Sequence, residues 1–136
     1  MPTTTILSGI RPTGALHVGN YLGALRHFVQ LQDQHECFFF IADLHALNEQ
    51  FSAEEKYAQV LDTAATFIAA GLDPNRSTLF VQSRVPAHAQ LSVTLANFIP
   101  VSYLFRMSQY KEKTGNQAHG SANAGLLYYP VLMAAD

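Results

Sequence analysis

The sequence carries little charge and no cluster of basic residues. Charged side chains make up 13% of the 136 residues, whereas an average soluble domain contains roughly 25%. The eight lysines and arginines are scattered, which argues against the basic stripe of a nucleic-acid-binding surface. Any nucleic-acid contact is therefore expected to be weak, localised or made by residues outside this chain. So little charge also predicts that a partner or further chain covers part of the surface.

Cysteine and long apolar runs are scarce as well. The single cysteine, Cys37, cannot form an internal disulfide, and its apolar neighbours predict a buried, reduced thiol. No apolar segment approaches the roughly 20 residues that a membrane span needs. The N-terminus has neither the basic region nor the apolar run of a signal peptide. We therefore expect a cytoplasmic protein with no membrane partner.

Apolar periodicity predicts a chain in which strands and helices alternate. Short apolar runs predict three strands, at Thr3–Leu7, Cys37–Ala42 and Thr78–Gln82. Helical spacing predicts five helices, at about Val18–Asp33, from the Ser52 capping box to Gly71, and at Ala87–Phe98, Tyr103–Tyr110 and Ala124–Ala135. The polar stretch Lys111–Ser121 is predicted as a mobile surface loop. Strands joined by helices indicate a parallel sheet with right-handed crossovers.

The first two helices each have a predicted apolar face, which is expected to be the buried side of an amphipathic helix. In the first helix this face is formed by Leu22, Leu25, Phe28, Val29 and Gln32. In the second helix it is formed by Tyr57, Val60, Leu61, Ala64, Phe67 and Ile68.

The predicted fold class is α/β. Three parallel strands with flanking helices make up the first half of a Rossmann-like, doubly wound parallel sheet. The sequence stops at Asp136 before any further strand, so the sheet is expected to be truncated and the chain to be a fragment. In folds of this class the ligand crevice lies between the first strand and the strand of the other half.

The segment Ser8–Tyr21 is the strongest local signal for function. It joins a strand to a helix through a turn punctuated by glycine and proline, and it places His17 at the helix N-terminus. Helix N-termini present free backbone N–H groups and a partial positive charge, which suits a phosphate. The pattern favours nucleotide binding, and the alternative is a tight turn with a surface histidine. A polar cluster, Asp43–His45, follows the second strand at the edge where such sheets place ligands.

Seven segments, taken together, carry a family resemblance. They are Ser8–Gly14, His17–Tyr21, Gly23–Arg26, Ala42–Ala46, Val85–Gln90, Arg106–Lys113 and Ala124–Asp136. In this order and spacing they resemble the tryptophanyl-tRNA synthetases, which are class I aminoacyl-tRNA synthetases, along the first part of such an enzyme. The resemblance implies ATP-dependent activation of L-tryptophan to tryptophanyl-adenylate, followed by transfer to tRNA(Trp). It implies that residues 1–136 are part of the nucleotide-binding catalytic domain.

The resemblance assigns His17–Asn20 to the class I signature, usually His-Ile-Gly-His, in a form that ends in asparagine. It gives catalytic roles to His17 and Asn20, which can donate hydrogen bonds as negative charge redistributes at the α-phosphate of ATP. Gly19 leaves room for the nucleotide against the backbone. Mg²⁺ would arrive with ATP, held largely by phosphates and water. No protein-ligated metal is expected, because the six histidines lack zinc-like spacing with the one cysteine.

The resemblance implies further ATP contacts, at the turn before the signature and at a lysine near residue 113. Arg11, Pro12 and Thr13 match the turn that touches ATP, and Arg11 stands where glutamine is common in the family. Lys113 matches a catalytic mobile-loop lysine that reaches the ATP phosphates in the closed state. The alternative for Lys113 is an ordinary solvated lysine.

A tryptophan pocket is implied at five positions. Asp136 matches the aspartate that accepts the indole N–H. An ionised carboxylate is a suitable acceptor, because indole can only donate a hydrogen bond. Its alternative is a helix residue that merely ends the chain. Tyr129, Met133 and His45 match pocket residues, and their alternatives are core packing or a satisfied loop histidine. Leu7 lies at the pocket end of the first strand.

The resemblance also implies a homodimer in the full-length enzyme, for which Ser83, Arg84 and Arg106 are candidate interface residues. His88 belongs to the Val85–Gln90 motif, but no chemical role follows from its context. We predict that His88 serves packing or the structure of a helix N-terminus.

Three other functions fit parts of the sequence. A tyrosyl-tRNA synthetase shares the fold and signature but would carry a tyrosine in place of Leu7. A small-molecule adenylyltransferase would not explain the Val85–Gln90 motif or the Met133–Asp136 ending. A non-catalytic fragment that only binds a partner would lack nucleotide affinity. Because the sequence contains neither a Lys-Met-Ser-Lys-Ser loop nor an anticodon-binding domain, the 136-residue chain alone is expected to be inactive or very weak.

Overall fold

The computed structural model describes residues 4–48, 51–114 and 123–136, and of Lys113 the backbone only. The chain divides into two units, Met1–Arg84 and Val85–Asp136. The first unit contains a sheet with helices, and the second contains helices. Seven α-helical segments are described: α1 (Val18–Asn20), α2 (Arg26–Leu31), α3 (Ala53–Ala69), α4 (Ala87–Ala96), α5 (Val101–Leu104), α6 (Ser108–Thr114) and α7 (Ala124–Ala135).

The sheet consists of β1 (Thr5–Ile10), β2 (Glu36–Ile41) and β3 (Thr78–Val81), hydrogen-bonded in the order β1-β2-β3. Both pairings are parallel, which confirms the predicted α/β class. In the register, Thr5 to Ile10 lie opposite Glu36 to Ile41, and Phe38 to Ile41 lie opposite Thr78 to Val81. All three strands therefore end at the same edge of the sheet.

β1 lies further along the chain than the sequence predicts. The expected strand was Thr3–Leu7 with a turn from Ser8, but β1 continues to Ile10 and the turn begins at Arg11. The reason is the pairing of Gly9 with Phe40 of β2. A Cβ atom on Gly9 would lie 2.7 Å from the Phe40 ring, so this glycine makes room for a neighbouring aromatic ring inside the strand.

The first helix starts at Val18 as predicted but is not uniform. A π-helical turn over Tyr21–Leu25 separates α1 from α2, and α2 ends at Leu31. Leu25, Phe28 and Gln32 are buried as the predicted apolar face requires. Leu22 was wrongly placed on that face, because it is exposed. The extra residue in a π turn rotates the helix faces on either side of it relative to each other.

The core of the first unit is aromatic. Phe28 of α2 stacks on Phe39 of β2, with ring centroids 4.2 Å apart, and meets Phe67 of α3 edge-on at 6.1 Å. Cys37 belongs to the same core as a free, buried cysteine, as predicted. Burial raises the pKa of its thiol, because the thiolate would lose its hydration. This thiol is therefore a packing group with little nucleophilic character at neutral pH.

α3 begins and ends as the sequence predicts. The Ser52 hydroxyl accepts the Glu55 backbone N–H, and the Glu55 carboxylate accepts the Ser52 N–H, so the capping box is formed. The bond that the Ser52 backbone N–H donates to the Glu55 carboxylate, followed by that carboxylate's interaction with the Ser52 hydroxyl, holds the pKa of Glu55 below its usual value. At the other end, Gly71 has φ +109°, the left-handed conformation that favours glycine after a helix.

The buried face of α3 differs from the predicted one. Lys56, Thr63 and Phe67 are its buried residues, whereas Tyr57, Leu61 and Ile68 are exposed. The prediction followed apolar side chains alone, and the structure instead buries a lysine and a threonine that find hydrogen-bond acceptors.

In the second unit, α7 packs against α4, and α5 contacts α7. α7 has the predicted bounds, and α4 ends two residues before the predicted Phe98. The predicted helix Tyr103–Tyr110 is wrong: α5 and α6 replace it, with a turn at Phe105 and Arg106 between them. The predicted loop Lys111–Ser121 is also wrong at its start, since residues 111–114 continue α6. Its remainder lies outside the described residues.

None of the helices within the described ranges combines the length and apolar character needed to cross a bilayer.

Candidate functional site

The candidate nucleotide turn connects β1 to α1. The Thr13 N–H donates to the Arg11 carbonyl at 3.0 Å, and Gly14 has φ +104°, which a residue with a side chain rarely adopts. The side chains of Arg11 and Thr13 are exposed, whereas Pro12 between them is fully buried. The turn therefore exposes the side chains of Arg11 and Thr13 to solvent, while the buried ring of Pro12 anchors it to the protein.

Lys56 of α3 holds this turn in place through its side chain, a role that the sequence did not predict. Its Nζ donates to the Pro12 carbonyl at 3.3 Å and to Gln59 Oε1 at 2.9 Å, and lies 4.7 Å from the centre of the Phe51 ring. Lys56 is only 9% exposed. The available signal was its spacing of seven residues from Thr63, which places it on the buried face of α3.

Replacing Lys56 by methionine is expected to destabilise the fold by about 1–3 kcal/mol, because the Pro12 carbonyl and the Gln59 amide lose their buried donor. Urea unfolding measures this change. The matched control is Lys111→Met, the same substitution at an exposed lysine, which should stay within about 0.5 kcal/mol of wild type. Equal unfolding midpoints for the two variants would mean that Lys56 does not anchor the turn.

His17 is the N-cap of α1 and forms a reciprocal capping arrangement with Asn20. Its Nδ1 accepts the Gly19 N–H at 3.1 Å, while Asn20 Oδ1 accepts the His17 N–H at 3.0 Å. Because Nδ1 is an acceptor, the proton of the neutral ring lies on Nε2. The ring itself is exposed. His17 therefore presents an oriented N–H donor beside the start of a helix.

Gly19 supports this orientation by lacking a side chain. A Cβ atom at Gly19 would lie 2.9 Å from both Nδ1 and Cε1 of His17. The space beside Gly19, predicted to be kept for a nucleotide, is thus occupied on one side by the imidazole. Asn20 has its Oδ1 committed to the cap, and its Nδ2 is the donor end of the amide.

The polar cluster after β2 divides into two parts. Asp43 Oδ1 accepts the Ser83 N–H at 2.9 Å, which ties the carboxyl ends of β2 and β3 together. His45 lies in a short 3₁₀ helix, Leu44–Asn48, and is buried. Leu7, on β1, is 44% exposed.

In the second unit, Tyr129, Met133 and Asp136 lie on one face of α7 by their spacing of four and three residues. They differ in exposure: Tyr129 is half-buried, Met133 is 61% exposed, and the Asp136 side chain is 9% exposed. Core packing, the alternative for Met133, is therefore wrong. The side chain of Lys113 lies outside the described residues.

Asp136 has a partner that the sequence did not reveal. Its Oδ1 lies 3.1 Å from Nδ1 of His88, which is in the first turn of α4 and equally buried. His88 is buried in the first turn of a helix, as predicted, but its contact with Asp136 was not predicted. No sequence signal connects the two residues, because only the packing of α4 against α7 brings them together.

The predicted interface residues Ser83, Arg84 and Arg106 are all exposed, and the Arg106 guanidinium lies 5.4 Å from the centre of the Tyr103 ring. Within residues 4–48, 51–114 and 123–136, no three His, Cys, Asp or Glu side chains are grouped so that they could hold a metal ion.

Comparison with families and curated proteins gives consistent matches. The family described as tRNA synthetases class I (W and Y) matches residues 2–136. A tryptophan--tRNA ligase of Rickettsia bellii is 48% identical over 132 residues, which are 97% of this chain and 40% of that protein. One from Clostridium tetani is 50% identical, over 97% of this chain and 39% of its own length. The chain thus spans about 40% of the length of these relatives.

Solved structures agree with the fold. A tryptophanyl-tRNA synthetase from Campylobacter jejuni matches with a TM-score of 0.89 at 39% identity, over 98% of this chain and 41% of that one. The same enzyme complexed with ADP and tryptophan matches with a TM-score of 0.88, at the same identity and coverage. A tyrosyl-tRNA synthetase from Archaeoglobus fulgidus, 22% identical, matches with a TM-score of 0.79 over 98% of this chain and 42% of that one, which indicates a shared fold alone.

Proposed function

The chain belongs to the tRNA synthetases class I (W and Y), and from this premise we propose that its protein is a tryptophan--tRNA ligase. The proposed reaction joins L-tryptophan to ATP, as its Mg²⁺ complex, to give tryptophanyl-adenylate and pyrophosphate. The tryptophanyl group then passes to tRNA(Trp). Residues 1–136 are proposed to be part of the nucleotide-binding catalytic domain.

The observation that carries this proposal is the capped helix start at His17. The Gly19 N–H holds Nδ1, so Nε2–H is the donor that an exposed, oriented imidazole can offer to a phosphate oxygen. An oriented donor stabilises developing negative charge without having to reorganise during the reaction. The capping bonds that hold His17 in this position come from Gly19 and Asn20 of the same helix start.

In the activation step a carboxylate oxygen of tryptophan attacks the α-phosphorus of ATP. The new bond joins this oxygen to phosphorus, and the bond from the α-phosphorus to the bridging oxygen of pyrophosphate breaks. Charge grows on the non-bridging oxygens and on the leaving pyrophosphate. His17 and Asn20 are proposed to donate hydrogen bonds to these oxygens, and Mg²⁺ enters with the ATP phosphates. No protein nucleophile is needed, since positioning and electrostatic stabilisation suffice.

The remaining ATP contacts are proposed from the shape of the turn. Arg11 and Thr13 are exposed on either side of buried Pro12, so we assign the direct contacts to these two residues and the support of the turn to Pro12. Gly19 is proposed to admit the nucleotide on the side away from His17. Lys113 is proposed to reach the phosphates.

Tryptophan is proposed as the amino acid because the relatives that match at 48% and 50% identity are tryptophan--tRNA ligases. The ADP and tryptophan complex of the Campylobacter jejuni enzyme supports the same pair of small molecules. Asp136 is proposed to accept the indole N–H, with Leu7, His45, Tyr129 and Met133 as further pocket residues. Position 7 is a leucine, whereas a tyrosyl-tRNA synthetase is expected to carry a phenol-binding tyrosine there.

The assembly of the whole enzyme is proposed by the same family membership. We propose a cytoplasmic homodimer, with Ser83, Arg84 and Arg106 near the subunit interface. The second signature loop and the anticodon-binding domain would come from sequence other than these 136 residues.

Amino-acid-dependent exchange of labelled pyrophosphate into ATP tests the proposal in the full-length protein. Exchange is expected with tryptophan and not with tyrosine, while the isolated 136-residue chain should show little or none. Exchange with tyrosine alone would make the protein a tyrosyl enzyme. A folded full-length protein that shows no exchange and no ATP binding by calorimetry would be a non-catalytic binding module. Robust exchange by the isolated chain would contradict the requirement for further segments.

A further inference from the structure

Lys56 is a buried lysine that takes no part in the proposed chemistry. It is 9% exposed, and its Nζ donates to the Pro12 carbonyl at 3.3 Å and to Gln59 Oε1 at 2.9 Å. We propose that Lys56 is a positioning residue for ATP, which holds the Arg11–Thr13 turn in its nucleotide-binding conformation without touching the nucleotide. This inference rests on the proposed function, in which that turn contacts ATP.

The conformation of the turn depends on the direction of the Pro12 carbonyl. The turn is closed by the Thr13 N–H, which donates to the Arg11 carbonyl at 3.0 Å. The proline ring fixes φ of Pro12, so its ψ angle decides where the carbonyl points. The same peptide unit carries the Thr13 N–H. A donor that holds the Pro12 carbonyl therefore also keeps the turn closed and sets the direction of the Thr13 side chain.

The side chain of Lys56 is itself held by its own part of the chain. Its backbone N–H donates to the Ser52 carbonyl at 3.1 Å, inside the capped first turns of α3. The Phe51 ring lies 4.7 Å from Nζ on one side, and Gln59 supplies an acceptor one turn further along α3. The donor is thus directed by a 17-residue helix. It ties the turn to an element that contains none of the proposed catalytic residues.

The charge of Lys56 makes its burial informative. Taking an ammonium out of water is costly, and an apolar side chain could fill the same position without that cost. Both oxygen acceptors of Nζ are neutral groups. Glu55 interacts electrostatically with Lys56, but its carboxylate is bonded to the Ser52 N–H of the capping box. The lysine therefore places a positive charge next to the turn that is proposed to meet the ATP phosphates, where it also favours an anion.

Lys56→Met is expected to raise the KM for ATP about 10-fold in tryptophan-dependent pyrophosphate exchange by the full-length protein, which is the weight of one hydrogen bond to a charged group. Without its donor the turn spends part of its time in other conformations, and the apparent affinity for ATP falls in proportion to the competent fraction. The KM for tryptophan should change by less than about twofold, because the turn is proposed to contact ATP alone. Calorimetry with ATP should show the same loss of affinity.

Gln32→Met is the matched control for lost stability. Gln32 is also buried, and its Nε2 donates to the Gly71 carbonyl at 2.9 Å, while its Oε1 accepts the Asp73 N–H at 2.9 Å and the Ser77 hydroxyl at 3.1 Å. Methionine of similar shape removes these buried bonds without touching the turn. This variant should lower the urea midpoint at least as much as Lys56→Met and leave the KM for ATP at the wild-type value.

Two further variants of Lys56 separate the donor from the rest of the side chain. Lys56→Arg keeps a long, charged donor and should retain most of the affinity for ATP. Lys56→Gln keeps a polar end that is one bond shorter, so it reaches the Pro12 carbonyl poorly and should raise the KM for ATP. If Lys56→Met fails to fold, the comparison of arginine with glutamine decides the matter.

The inference is overturned if Lys56→Met keeps the wild-type KM for ATP, or if the KM for tryptophan rises by the same factor. It is also overturned if Gln32→Met raises the KM for ATP equally, since lost stability would then account for the effect. Equal KM values for ATP in Lys56→Arg and Lys56→Gln would likewise contradict it. A wild-type protein that performs no exchange with tryptophan would instead contradict the proposed function.

Discussion

His17→Asn is expected to lower tryptophan-dependent pyrophosphate exchange about 100- to 1,000-fold in the full-length protein, the usual effect of removing one oriented donor from a developing anion. Its stability should hardly change. Asparagine is among the best N-cap residues, so its Oδ1 can replace Nδ1 as the acceptor for the helix N–H groups. The variant therefore removes Nε2–H, the proposed catalytic donor, and preserves the cap.

His17→Ala is the companion variant. Alanine removes both the donor and the cap, so it should lose similar activity and, in addition, about 1 kcal/mol of stability. Urea unfolding and the exchange assay together separate the two contributions. Near-normal exchange by a stably folded His17→Asn protein would remove histidine from the catalytic step and restrict it to capping α1.

Gly19→Ala is expected to lose activity to a comparable extent, although alanine is the better helix former. The added Cβ would lie 2.9 Å from the His17 ring, so the imidazole must rotate and give up its bond to the residue 19 N–H. The gain of up to about 1 kcal/mol in helix propensity offsets the loss of about 1 kcal/mol for that bond. Stability should therefore stay near wild type while the donor loses its orientation.

Gly23→Ala is the matched control, because a Cβ atom there meets no atom within 4 Å. It should stabilise the helix by up to about 1 kcal/mol and leave exchange unchanged. The double variant His17→Asn/Gly19→Ala should be no slower than the slower single variant, since both changes act on one imidazole. Additive losses in the double variant would indicate that Gly19 serves the nucleotide independently of His17.

The sequence located the features that depend on neighbouring residues. The start of α1 at Val18, the capping box at Ser52 and the left-handed Gly71 were all predicted, because each involves hydrogen bonds or dihedral angles within a few residues. The parallel sheet was predicted because apolar runs alternate with helical periodicity. Motif order predicted the family, which the match over residues 2–136 confirms.

Errors arose where local patterns compete with contacts from distant parts of the chain. Gly9 has the appearance of a turn residue, yet it pairs with Phe40 and extends β1. α3 buries Lys56 in place of the predicted Tyr57, since Lys56 finds the Pro12 carbonyl and Gln59. Hydrophobicity along one helix cannot reveal an acceptor supplied by another segment.

The candidate site divides in the same way. The sequence alone determined that a histidine, a glycine and an asparagine would begin a helix after a parallel strand, and that a helix would extend from Ala124 to Ala135. The bond that commits Nδ1 of His17 also lies within two residues, whereas only the tertiary structure decided that Lys56 anchors the turn and that His88 lies beside Asp136. Composition and spacing encode which elements form, whereas the direction of each polar side chain depends on partners brought close by folding.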